Sequence, residues 1–150
     1  MKGLDLYKWI AGSMNDFAKQ FKDNEALYIQ AKSFWRHLEG TSIVLIAIFV
    51  VLGIALAITY YMPYNEKAGR HYRPTHWLGF MLATFLATLA VTLGFEYIAV
   101  APKLDGAFMV ELKIALGNAI YATALYFLTS VVWCNVGPTT LIESSNSKQK

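Results

Sequence analysis

Polar and apolar residues in this chain separate into long blocks rather than short alternations. No Asp, Glu, Lys or Arg occurs from Gly40 to Asn65, from Thr75 to Phe95, or from Ile114 to Ile142. Each block exceeds the roughly 20 apolar residues that carry a helix across a hydrocarbon core about 30 Å thick. A soluble amphipathic helix keeps a charged stripe at its 3.6-residue period, and these blocks keep none. The pattern predicts three transmembrane helices, over about 41–62, 77–98 and 108–133.

The block ends carry matching punctuation. Tyr60, Tyr61 and Tyr64 suit the headgroup level, and Pro63 is expected to stop the first helix. Pro102 and Asp105-Gly106 mark a turn, and Gly137-Pro138 closes the third span. Small residues four apart offer faces for close helix contact, Gly53 with Ala57 in the first span and Gly79, Ala83 and Ala87 in the second.

The segment before the first span is helical by pattern but too polar to cross. Met14, Phe17, Phe21, Tyr28, Ala31, Trp35 and Leu38 follow alternating three- and four-residue steps, with Asn24 in the one gap. That is a heptad seam, suited to lying on a membrane or to gathering copies about an axis, where Asn24 would fix register. Ser13 with Asp16 reads as a helix start, and Asp23-Asn24-Glu25 can cap a second helix, so one bent helix and two helices both fit. The expected organisation is an amphipathic segment over 1–39, a three-helix membrane domain over 40–136, and a polar tail over 137–150. The first apolar run is too long for a cleaved leader and is expected to act as a signal anchor.

Composition sharpens the picture at a few points. Charged residues make up 15% of the chain, below the roughly 25% of a soluble domain. A net charge of +3 does not argue for nucleic-acid binding by itself. The single cysteine, Cys134, excludes an intrachain disulfide and reads as a small packing residue. Eight of the 13 Lys and Arg fall on the side of the N-terminus, which favours a multi-pass inner-membrane protein with a cytoplasmic N-terminus.

No catalytic or metal-binding constellation is visible, so the chain reads as a non-enzyme without a cofactor. His37, His71 and His76 have no ligand partner at helical spacing. The polar residues inside the spans carry more information. Thr84, Thr88 and Thr92 lie four apart, and Glu96 extends their line by one turn. Asn118 lies deep in the third span, where an amide either bonds to a neighbouring helix or faces water. These five are the candidate pore-lining residues, with Glu96 either an acidic ring at a pore mouth or a lone acid at the headgroup level or paired with Lys103 or Lys113. Glu111 and Lys113, at the start of the third span, are expected to snorkel. Two basic-aromatic groups can hold an acidic ligand or lipid phosphates. One is the loop with Tyr64, Arg70, Tyr72, Arg73 and Trp77; the other comprises Lys8, Trp9, Lys19, Lys22, Lys32 and Arg36.

Three thin helices enclose little volume, so a conducting form is expected to be a symmetric homo-oligomer. The fold class is therefore an all-α membrane protein, with three transmembrane helices behind one or two amphipathic N-terminal helices. By layout the chain resembles the small membrane effectors of bacterial anti-phage defence, and among them the membrane-channel subunit of the Hailong system. Gly69-Arg70-His71-Tyr72-Arg73-Pro74 and Gly117-Asn118-Ala119-Ile120-Tyr121 contribute to the resemblance. It implies a tetrameric channel controlled by deoxyadenosine oligomers from a partner nucleotidyltransferase. The expected function is thus an oligomeric, ligand-gated channel or pore-forming effector in the bilayer. A non-conducting anchor or scaffold, and a phage-type holin, are the alternatives.

Overall fold

The computed structural model of the chain describes residues 3–64 and 73–136, and every element among them is helical. A 3₁₀ turn, Gly3–Tyr7, runs into α1, Lys8–Ala11. Then come α2, Met14–Lys19, and α3, Glu25–Thr59, which passes into a π-helical turn over Tyr60–Tyr64. The bundle is completed by α4, Pro74–Ala99, and α5, Ala107–Val136. Three helices are long and apolar enough to cross a membrane, as the charge-free blocks predict.

Local chemistry explains the N-terminal breaks. Ser13 Oγ accepts from the Asp16 amide at 3.3 Å and starts α2. Asn24 Oδ1 accepts from the amides of Ala26 and Leu27 at 3.1 and 3.3 Å and starts α3. Asn24 is thus an N-cap rather than a seam position, and the two-helix reading of this segment is the one observed. Pro63 falls inside the π-helical turn, where its missing amide hydrogen costs the α ladder nothing because that ladder ends at Thr59.

No break separates 1–39 from the first span. The 35 residues of α3 run about 52 Å at 1.5 Å per residue, well beyond a core of about 30 Å. Its polar first 15 residues, carrying Glu25, Lys32, Arg36 and Glu39, are therefore the water-side extension of the span itself. The short helices fold back on that extension. Phe17 packs on Phe34 and Trp35, with ring centroids 5.4 and 6.3 Å apart. Leu4, Tyr7, Phe17, Phe34, Trp35 and Leu38 join Val110 and Ile114 of α5 in one core. The heptad seam packs within the chain: Phe17, Trp35 and Leu38 are buried, and Met14, Phe21 and Tyr28 pack against them. The turn over residues 20–24 causes this by reversing the chain between the two halves of the heptad pattern.

Packing in the bundle is inside out relative to a soluble protein. The buried residues of α4 are Thr84, Thr88, Thr92 and Glu96, while Leu78, Leu82 and Leu86 are at least half exposed. Apolar side chains outside and polar ones inside suit a hydrocarbon solvent. α5 packs on both α3 and α4. On α3 the expected small-residue face is used: a Cβ on Gly53 would lie 2.8 Å from the Ala122 carbonyl oxygen. On α4 it is not. Gly79 and Ala83 are exposed, and a Cβ on Gly79 would meet nothing within 4 Å. The threonine face, one position round, turns inward instead, where Thr92 meets Asn118 of α5.

Candidate functional site

The interior of the bundle is organised around Asn118, which is fully buried. Its Nδ2 donates to the Leu45 carbonyl oxygen of α3 and to Thr92 Oγ1 of α4, each at 3.0 Å. Its Oδ1 accepts from the Tyr7 hydroxyl. One amide therefore joins all three long helices to the N-terminal segment. In an apolar medium an amide left unpaired is costly, and here both ends are engaged.

Residue 117 is glycine for a visible reason. A Cβ there would lie 3.2 Å from Tyr7 Cδ1, inside ordinary contact, so the bare backbone lets the Tyr7 ring reach Asn118. Beside it, Trp9 Nε1 donates to the Tyr121 hydroxyl at 2.8 Å, and that hydroxyl donates to the Leu6 carbonyl at 2.7 Å. Burial first, and then the neighbouring Glu96 carboxyl, raise the Tyr7 phenol well above its ordinary range. The phenol is a neutral donor at any physiological pH.

Below and above Asn118 the α4 line continues. Thr84 returns its hydroxyl to the Phe80 carbonyl at 2.8 Å, as helical threonines commonly do. Thr88 Oγ1 and both carboxyl oxygens of Glu96 are buried without a hydrogen-bond partner among the described residues. Thr84 to Glu96 spans about 18 Å at 1.5 Å per residue. At the far end, Trp77 Nε1 donates to Ser130 Oγ at 3.1 Å and Tyr126 OH donates to the Trp77 carbonyl at 3.2 Å.

Two ionisable residues complete the near end. Lys103, in the turn between α4 and α5, sets its Nζ 2.7 Å from Glu111 Oε1, and the same Nζ donates to the Glu96 backbone oxygen at 3.4 Å. Glu111 is 1% exposed and Lys103 44%. The snorkelling expected of Glu111 does not occur, because Lys103 folds over it and supplies its counter-charge. Lys113, by contrast, is exposed.

All five intramembrane candidates, Thr84, Thr88, Thr92, Glu96 and Asn118, are buried within one chain. The six proposed ligand contacts are more dispersed. Lys8 pairs with Asp5 at 2.6 Å, Lys19 lies 3.9 Å from Asp16, and Lys32 sits 4.2 Å above the Tyr28 ring. Lys22 and Arg36 are exposed. Lys8 and Trp9 line a cleft of about 530 Å³ with Asp16, Gln20 and Lys113. The loop arginine Arg70, with His71 and Tyr72, lies outside the described residues, as does the tail over 137–150. Cys134 is exposed rather than packed, 3.7 Å from the Tyr61 hydroxyl.

Sequence reasoning missed Tyr7, Gly117 and the Lys103 bridge. The adjacent Gly117-Asn118 pair, a gap beside a deep amide, was the available signal for an inserted ring. Comparison with protein-family models, with curated proteins and with solved structures yields no match.

Proposed function

We propose that this chain is an ion-conducting membrane protein whose path is the polar interior of the three-helix bundle, with the N-terminal segment as its gate. One observation carries the reading: the buried polar line of α4 meets, at Asn118, a hydroxyl delivered by the water-side N-terminal segment. Polar groups at membrane depth are costly, and a lone structural amide needs neither the neighbouring threonines nor Glu96. Removing Tyr7 would open the near end of that line toward water.

The wider setting belongs to the same proposal. The bare Gly79–Ala83–Ala87 face on α4 supports side-by-side assembly of copies, since small residues allow backbones to approach. The resemblance to anti-phage membrane effectors supplies a gating ligand class, an acidic oligonucleotide made by a nucleotidyltransferase. Lys8, Trp9, Lys19, Lys22, Lys32 and Arg36 lie on the gate itself or on the water-side part of α3, where ligand binding can displace it. The positive-inside bias supports an inner membrane with this segment in the cytoplasm.

The test is ion flux from liposomes holding the purified chain. Tyr7→Phe removes one hydrogen bond, about 1 kcal/mol, and should raise the open fraction roughly fivefold. Gly117→Val should act more strongly by pushing out the ring. Folded protein that stays silent in all three forms, with and without oligonucleotide, would make the chain a membrane anchor instead.

A further inference from the structure

We propose that Glu96 is a proton-binding site, and that it exchanges its proton with water by way of Glu111. The inference rests on the ion-path reading for its physiological use, but the site itself stands on geometry.

Glu96 is fully buried, and neither carboxyl oxygen has a hydrogen-bond partner among the described residues. A bare carboxylate in such a place is among the costliest groups a protein can hold, so a positive species must accompany it. The groups facing it do not supply one. Lys103 commits its ammonium to Glu111 at 2.7 Å and meets Glu96 at the backbone oxygen, 3.4 Å away. From α5, Glu111 adds a second acid and Asn118 a neutral amide. From the 3₁₀ turn, Tyr7 is a neutral phenol already bonded to Asn118, and Tyr121 beside it is occupied by Leu6 and Trp9. Between Gly40 and Thr59, α3 has no ionisable side chain.

The accompanying species is therefore a proton or a small cation from solution. A bound metal cation replaces its water with several oxygen ligands, typically six or more for a hard divalent ion. Among the described residues no group of three or more His, Cys, Asp or Glu forms. A proton needs one oxygen, and Glu96 offers two.

The neighbouring acid gives the proton a way out. Transfer through a water that takes up the Glu96 proton and passes one to the Glu111 carboxylate leaves Glu96 charged and Glu111 neutral, with Lys103 keeping its charge throughout. Lys103, 44% exposed, marks the opening beside Glu111, where Glu111 releases the proton to water. Further inward, Thr92 lies one helical turn along the same face and accepts from Asn118, and Thr88, two turns along, keeps a free hydroxyl oxygen.

Infrared difference spectra of the whole protein in lipid, recorded against pH, read the site directly. A carboxylic-acid carbonyl band is expected, shifting in heavy water and absent from Glu96→Gln. Glu111→Gln should keep that band but slow its exchange with the medium. Loss of the band in Glu111→Gln with retention in Glu96→Gln would overturn the assignment, as would a wild-type spectrum without it. Flux in the same liposomes separates the two readings. Proton flux lost in Glu96→Gln, with no potassium flux in either form, supports both. Potassium flux that survives Glu96→Gln would keep the path but overturn Glu96 as its proton carrier. A titrating band with no flux of any ion would leave the site intact and remove the path.

Discussion

Tyr7 and Asn118 stand 111 positions apart, yet the phenol of one donates a buried hydrogen bond to the amide oxygen of the other. The bond ties the Gly3–Tyr7 turn to the third span. Asn118→Leu removes it together with the bonds to Leu45 and Thr92, leaving a phenol and a carbonyl poorly paired. The expected loss is about 1–3 kcal/mol. Unfolding in detergent measures the loss, and faster amide exchange over residues 3–11 shows where the fold loosens first.

The two small-residue faces should respond in opposite ways. Gly53→Leu drives a side chain into the Ala122 backbone, where even a Cβ is too close at 2.8 Å. Overpacking of this kind costs about 1–3 kcal/mol. Gly79→Leu meets open space, so the fold of the single chain should change by less than about 0.5 kcal/mol. Thermal unfolding compares them, and any loss of a larger assembly in Gly79→Leu is read separately by mass measurement in detergent.

The ion pair near the water side makes a third case. Lys103→Met leaves Glu111, 1% exposed, without its counter-charge. Because Lys103 is half in water, the expected cost is near the lower end for a broken buried pair, about 2 kcal/mol. Replacing both partners, with Glu111→Met added, should recover most of it. A double variant no more stable than Lys103→Met alone would remove the pair's claim to matter.

A fourth expectation concerns acid. The Ser13 hydroxyl donates to the Asp16 carboxylate at 2.6 Å and, with Lys19 contributing less, holds that carboxyl below its ordinary range. A depressed acid stabilises the fold above its unfolded value and loses that contribution as pH falls through the folded one. The start of α2 should therefore loosen below about pH 4. Ser13→Ala should cost the helix about 1 kcal/mol and flatten the acid response. Amide exchange over residues 14–19 reads both effects.

The three spans were legible because charge is excluded from hydrocarbon, a constraint each residue obeys by itself. Ser13 and Asn24 were legible as caps for a similar reason, since capping is decided within three or four residues. The threonine line on α4 was visible as a line, but its direction was not. Apolar side chains surround that helix on every side, so hydrophobicity does not say which face is inner; partners on another helix decide it. Tyr7 was invisible, because nothing near it in the chain announces a berth at Gly117. The heptad seam was legible as an apolar stripe, but not its packing within the chain, because the turn over residues 20–24 that brings Phe17 onto Phe34 and Trp35 is set by contacts distant in sequence.

The continuity of α3 has a mechanical consequence. Without a hinge between Glu25 and Thr59, the helix behaves as a rod with one end in water and the other at the opposite membrane face. Its water-side part is gripped by Phe17, and it is wedged against Ala122 at Gly53, about two turns before its far end. A push on the gripped end becomes a tilt about that wedge, and the far end around Tyr60 and Tyr61 must swing the other way. Events at the N-terminal segment and events at the distal aromatic cluster are thereby linked by leverage, with no chain of intermediate contacts required.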